Sequence, residues 1–412
     1  MFKFKNKDTV GVLLVTSSTL TFIGNGMHFI ALSWLILDLT HNPLSVGLLT
    51  IFSTLPGMIV SPITGVIADR FNKKSIAILM DLLRCLLVMS IFFLLSMNME
   101  SKWYLYIITI LITISSNLFF PALSGVIKNT VKQENYLKVM SANSTGLQFG
   151  VIIGSGIAGY LISLTSISIV FFIDGLTYLL SALLLLQVKF TKTSTKDKDI
   201  TSKNSFKREF IDGFNYVFFH KKLVLLFFIG AFPHILSQLI NSLLAFYTNK
   251  TLKLDVESYG ILDSSYAVGS VIMGLFLISY IKNKLSLEQI ISYSFFFMAI
   301  GALLIAISNS LYISIIGLGI IGASILSETT SSKTLFLSIV EENFIGRAES
   351  LSWAIYSSIP PLIGLFSTYI VTKISVNIVF LVCATLLFIM CVYSNLKLTR
   401  GTANTEKVSG SV

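Results

Sequence analysis

The chain has 412 residues, of which 54% are hydrophobic and 12% charged, and a formal net charge of +10. A soluble chain carries about 25% charged residues, so this one lacks the polar material to cover a water-facing surface. A soluble enzyme, a disordered chain and a coiled coil are thereby excluded. Cys85, Cys383 and Cys391 all lie in apolar stretches and make no disulfide framework. What remains is a polytopic membrane protein whose basic excess points to nucleic acid, acidic lipid or an asymmetry across a membrane.

A helix needs about 20 mostly apolar residues to cross the hydrocarbon core. Twelve stretches qualify, near 10–37, 45–68, 75–97, 103–127, 143–164, 167–188, 222–248, 258–281, 286–307, 311–336, 350–372 and 375–396. The first follows Lys3, Lys5 and Lys7, but it is too long for a signal peptide and lacks a small-residue cleavage pattern. With the N-terminus inside, 25 of the 30 Lys and Arg fall in inner loops and termini. The outer loops hold four, Lys102, Lys250, Lys253 and Lys373, while Arg84 lies within a span. Basic residues concentrate in cytoplasmic loops, so both termini are expected in the cytoplasm of a multi-pass protein of the cell membrane, which is expected to be bacterial. The cations spread over seven inner segments and form no nucleic-acid patch; those of 189–222 can meet the acidic lipid of the bilayer.

Residues 189–221 are rich in Lys, Ser, Thr and Asp and read as a cytoplasmic linker. It separates a six-helix half, 1–188, from a second, 222–397, with a flexible cytoplasmic tail at 398–412. A shift of 209 carries Gly65 to Gly274 and Lys73 to Lys282, and lays 131–141 on 340–350 with Lys138 on Arg347. With an even number of spans in each half, the repeats run parallel. The expected architecture is an all-α membrane protein of twelve transmembrane helices in two six-helix halves.

Between spans two and three the chain reads Gly65-Val-Ile-Ala-Asp69-Arg70-Phe-Asn72-Lys73-Lys74. Gly65 allows close helix packing, and Asp69 ends a span with a charge that can meet a helix N-terminus or a cation. Position 72 asks for a left-handed residue to turn sharply, a place where Asn substitutes for Gly. Lys73 and Lys74 hold the turn in the cytoplasm. Asp81 and Arg84 share a face of span three and are expected to pair with each other or with this loop. The segment resembles the signature loop of the major facilitator superfamily, Gly-x-Leu-Ala-Asp-Arg-x-Gly-Arg-Arg, whose two halves are parallel repeats. The resemblance implies a cytoplasmic gate, in which Asp69 and Arg70 with Gly65, Lys73, Lys74, Asp81 and Arg84 clamp the outward-open state. Phe172-Ile-Asp174-Gly-Leu-Thr-Tyr-Leu and Lys138-Val-Met-Ser-Ala-Asn143 look like the drug:proton antiporter group that includes macrolide-efflux and enterobactin-type exporters.

Gly154-Ser-Gly156-Ile-Ala-Gly159 matches the dinucleotide pattern, but it sits inside an apolar span with Gly146 and Gly150 upstream. That makes it a small-residue face for helix packing rather than a phosphate cradle. It also resembles the antiporter motif of the superfamily's fifth span, with Ser155 in place of its Pro. No Walker loop, metalloprotease helix or Cys-x-x-Cys occurs, so no cofactor, no metal and no enzymatic activity are expected.

Ionisable groups inside a bilayer are costly unless paired or solvated, so each is a functional candidate. In the superfamily, spans one, four, seven and ten line the central cavity. Here span one carries Ser18, Thr21, Asn25 and His28 on one face, and span seven carries His234, Gln238 and Asn241. Span four offers Thr113 and Asn117, and span ten Ser324, Glu328 and Ser331. One polar substrate cavity is the economical reading, built on Asn25, Asn117, Gln238, Asn241 and Ser324. Glu328 is the sharpest member: a carboxyl in a low-dielectric cavity lets a proton and a cationic substrate compete for one place. The alternative for Glu328 is a structural pair with Lys333 or a loop cation. His28 and His234 are further proton-coupling candidates, because histidine changes charge near neutral pH. Asp38, Asp174 and Asp263 lie in the outer thirds of their spans, where water reaches, and read as capping or gating acids at the outer face.

These features together point to a monomeric secondary exporter that expels amphipathic small molecules such as drugs or antibiotics in exchange for protons. An exporter of an endogenous siderophore or metallophore is the alternative, and a non-transporting membrane receptor a distant one.

Overall fold

Backbone groups in hydrocarbon must bond within their own segment, which leaves helices as the way for these apolar stretches to cross. The computed structural model describes residues 9–188, 216–279, 284–341 and 344–399. Lys3, Lys5, Lys7, Lys282, residues 189–215 of the linker and residues 400–412 of the tail lie outside the described residues. The first half runs α1 (Thr9–Thr40), α2 (Pro43–Phe52), α3 (Leu55–Arg70), α4 (Lys73–Ser96), α5 (Lys102–Thr130), α6 (Gln133–Leu164) and α7 (Ile167–Gln187). The second runs α8 (Lys221–Phe246), α9 (Val256–Ser279), α10 (Leu287–Ile307), α11 (Leu311–Ile339), α12 (Ile345–Val371) and α13 (Val376–Ser394). With α2 and α3 counted as one passage, these make the twelve spans. Among the described residues nine are long and apolar enough to qualify by length and composition, and α6, α9 and α12 complete the set.

Two local features depart from the sequence reading. Span two is interrupted at Ser53 and Thr54, whose hydroxyls both donate to the Thr50 carbonyl, at 2.9 and 2.8 Å. Thr54 leaves helical geometry (φ −124°, ψ −55°) as the N-cap of α3, and Pro56 sits in its first turn, where its missing amide costs no helical bond. Asn72 is extended (φ −66°, ψ 111°) rather than left-handed, and its side chain accepts from the Lys74 and Ser75 amides at the start of α4. The turn is therefore made by an N-cap, which satisfies two otherwise unbonded amides and needs no αL residue. Left-handed backbone appears instead at His41, Asn98 and Lys253, at φ of 49°, 53° and 56°.

Two compact units divide the chain: Met1–Lys196 with Leu244–Ser264, and Asp197–Leu243 with Ser265–Val412. Residues 244–264 group with the first unit. In the first unit α1 lies against α6 and α7, and α4 against α5 and α7. The second repeats this pairing, with α10 against α11 and α13. The glycine-rich stretch of α6 is a packing face as expected: a Cβ at Gly154 would stand 2.1 Å from the Ile23 carbonyl oxygen of α1, so the helices meet backbone to backbone. Farther along, Gly159 meets Gly260 at the start of α9 with 3.1 Å to its Cα.

Candidate functional site

The second unit holds a cavity of about 370 Å³ between α8, α11 and α12. Glu328 of α11 reaches it from a fully buried position. Ser332, one turn on, donates to Glu328 Oε1 at 2.5 Å, while Oε2 has no hydrogen-bond partner. From α8, His234 stacks on the Tyr356 ring of α12, centroids 4.8 Å apart and 22° between planes. Tyr356 Oη donates to the Phe227 carbonyl at 3.3 Å. That approach needs Gly230, where a Cβ would lie 2.5 Å from the hydroxyl. Phe227 and Phe336 supply apolar wall, and Thr329, Lys333 and Ser357 complete the polar part. Such a lining has the chemistry to hold an organic body on its aromatic walls and a polar or cationic group at Glu328.

Ser324 lies elsewhere. It donates to the Ile320 carbonyl at 2.7 Å and lines a second cavity of about 250 Å³ with Ser327, Tyr293 and Phe297. Gln238 of α8 packs where Gly364 of α12 leaves room, its Cγ 3.2 Å from the position a Cβ would take. Asn241 is half-buried on the same helix.

In the first unit the polar stripe of α1 faces α7. Thr21 donates to Ser181 at 3.1 Å, Tyr178 Oη donates to Asn25 Oδ1 at 2.7 Å, and His28 Nδ1 lies 2.9 Å from Asp174 Oδ2. The partners come from α7 because it carries Asp174, Tyr178 and Ser181 on the side turned to α1. Asn117 of α5 donates to the Thr113 carbonyl at 2.9 Å and fills the space beside Gly57 of α3.

The acids read as water-reached divide three ways. Asp38 is exposed near the end of α1, and Asp263 is half-buried beside Ser155 and Tyr259. Asp174 is fully buried, because α1 and α7 close over it.

Asp81 and Arg84 pair at 2.5 Å, both fully buried. Arg84 is held between the rings of Phe119 and Tyr178, at 4.2 and 4.7 Å from their centroids. Lys74 Nζ donates to the Leu186 and Val188 carbonyls at 2.8 and 2.7 Å, closing the end of α7. Lys73 lies along Gly125 of α5. Gly65, Asp69 and Arg70 are within α3, and the placement of the last two side chains lies outside the described residues.

The sequence reading missed Tyr356, Ser352 and Ser357 of α12, and Tyr178 and Ser181 of α7. For the cavity it searched spans one, four, seven and ten, and it took from spans three, six and eight charged residues alone. A tyrosine flanked by serines inside an apolar span was the available signal.

Macrolide efflux protein A of Streptococcus pyogenes is 22% identical over 395 residues, covering 95% of this chain and 96% of that protein. The uncharacterized MFS-type transporter YfiS of Bacillus subtilis is 31% identical over 183 residues, 44% of this chain and 42% of that protein. The staphyloferrin A transporter of Staphylococcus aureus is 23% identical over 82% of this chain and 83% of its own length. Among solved structures, nucleoside transporter NupG superposes with a TM-score of 0.77 at 12% identity, over 94% of this chain and 100% of that one. A bacterial homolog of the human lysosomal transporter Spinster gives 0.68 at 14% identity, over 100% and 98%. At these identities the structural likeness is one of fold. The model of the transmembrane secretion effector family matches residues 6–409, and the chain belongs to that family of major facilitator transporters.

Proposed function

We propose that the protein is a proton-coupled exporter of amphipathic small molecules such as drugs or antibiotics, working by alternating access with both termini in the cytoplasm. The observation that carries this reading is Glu328: a fully buried carboxyl with one oxygen unpartnered, set in a mostly aromatic and aliphatic cavity. A proton or a cationic substrate at the unpartnered oxygen of this buried acid relieves the cost of its burial, and the two exclude each other there. That competition is the linkage an antiporter needs. His234 stands in the same cavity and relays the one proton that Glu328 binds. The end-to-end likeness to a macrolide efflux protein supports the substrate class. The loop from Gly65 to Lys74, with Asp69 and Arg70, acts as the gate on the cytoplasmic side.

Export of an endogenous siderophore or metallophore is the second reading. It is favoured by Lys333 in the cavity wall, a cation suited to an anionic ligand, and by the likeness to a staphyloferrin A transporter.

The test is accumulation in everted vesicles energised by a pH gradient, with dyes, macrolides and metal chelators as probes. Glu328→Gln is expected to abolish pH-driven uptake of dye or macrolide while the protein still reaches the membrane. Uptake equal to wild type would refute the coupling role, and uptake of chelators alone would favour the second reading.

A further inference from the structure

Arg84 and Asp81 neutralise each other in the first unit, and Asp81 Oδ2 is further satisfied by Ser181 at 2.6 Å, with Ser17 2.8 Å beyond. A second acid, Asp174, is equally buried, and among the described residues its ion-pair partner is His28, charged only when protonated. Its Oδ2 meets His28 Nδ1 at 2.9 Å, and neither Asp174 Oδ1 nor His28 Nε2 has any hydrogen-bond partner. Gly24 presses on the carboxyl, where a Cβ would come 2.6 Å from Oδ1, so there is no room for a hydrating shell. Phe171 covers the imidazole edge-on at 5.8 Å, and Met89 of α4 fills the space at Gly175.

The surrounding charged and titratable groups are few. Arg84 of α4 acts on Asp174, and Asp174 in turn acts on Cys85 of α4 and on Tyr178 of α7 itself. Among the described residues α5 brings the rings of Phe119 and Phe120 toward this region, and α6 brings Ser155 to Gly26. Tyr259 stacks on Trp34, farther along α1, with Asp263 near it. With the single arginine already matched by Asp81, an ionised Asp174 beside a neutral His28 leaves one uncompensated negative charge in an apolar enclosure. One proton on the pair removes it, whether held as imidazolium and carboxylate or as imidazole and carboxylic acid. His28 shows 11% of its side chain and Asp174 none.

We propose that His28 and Asp174 together form a proton-binding site of the first unit, holding one exchangeable proton as a pair, separate from the Glu328 cavity. Its part in transport, a second proton per cycle, rests on the exchange proposed above; the binding of the proton does not.

The test begins with purified protein in detergent, titrated over the pH range in which it stays folded and followed by infrared difference spectroscopy. A carboxyl signal is expected that Asp174→Asn removes, His28→Gln shifts and Glu328→Gln leaves in place. A wild-type difference spectrum from which Asp174→Asn subtracts nothing overturns the proposal. Should that variant fail to fold, His28→Gln decides: loss of imidazole signals alone, with every carboxyl signal unmoved, overturns it as well. In proteoliposomes with erythromycin as the probe, the proton flux per macrolide is expected to fall about twofold in Asp174→Asn. An unchanged ratio removes the second proton from the cycle. Absence of proton flux in the wild type refutes the exchange reading alone, since the spectra judge the site independently.

Discussion

The closest helix contact in the first unit offers a quantitative test. At Gly154 of α6 an added Cβ would lie 2.1 Å from the Ile23 carbonyl oxygen and 3.0 Å from the Met27 amide nitrogen. Ordinary contact begins at 3.4 Å, so α1 and α6 would have to part by about 1.3 Å, the difference between 3.4 and 2.1. Both obstructing atoms are backbone and cannot rotate aside. Overpacking costs about 1–3 kcal/mol, and a gap of this size forfeits about half the dispersion energy of the atoms that face it. The gain in helix propensity from Gly to Ala returns about 1 kcal/mol. Gly154→Ala is therefore expected to lose about 2 kcal/mol of stability, near the upper end of that range less the propensity gain. Gly319→Ala of α11 is the control. Its Cβ would meet only the Ser265 carbonyl oxygen at 3.7 Å, an ordinary contact, so propensity alone acts and stability holds or rises. Melting in detergent, followed by a thiol-reactive dye that reports exposure of the buried Cys85, separates the two. Equal melting of both variants, or a loss confined to Gly319→Ala, would refute the backbone-contact argument.

Three further outcomes are expected. Arg84→Leu leaves Asp81 buried without its cation and is expected to cost about 3–5 kcal/mol, whereas Asp81→Leu with Arg84→Leu costs less because no charge is stranded; denaturant titration of the single and double variants checks the order. Asn72→Ala removes the cap of α4 and is expected to cost about 1 kcal/mol, with Asn72→Gly costing only a few tenths; a left-handed position 72 would instead make Gly the better residue, so a stabilised Asn72→Gly sinks the N-cap assignment. Asp69→Asn is expected to shift the balance between inward- and outward-open forms, read as changed reactivity of cysteines introduced on the two faces; unchanged reactivity removes Asp69 from the gate.

The sequence by itself determined the number and order of the spans, because an apolar stretch of this length in lipid has no alternative to a helix. It also identified the packing role of the small-residue face of α6 and put Asp81 and Arg84 on one face of α4, leaving open whether they pair with each other or with the loop before it. What each polar side chain meets was decided by tertiary structure. Sequence spacing put His28, Asn25 and Thr21 on one face of α1, but it carries no information on the azimuth of α7, which turns Asp174, Tyr178 and Ser181 toward them. In the same way Glu328 and Ser324 share a face of α11 and yet open on different cavities, because α8 and α12 close around one and α10 around the other. Periodicity fixes a residue's direction relative to its own helix axis; only packing sets the rotation of one axis against the next, and that rotation selects the partners.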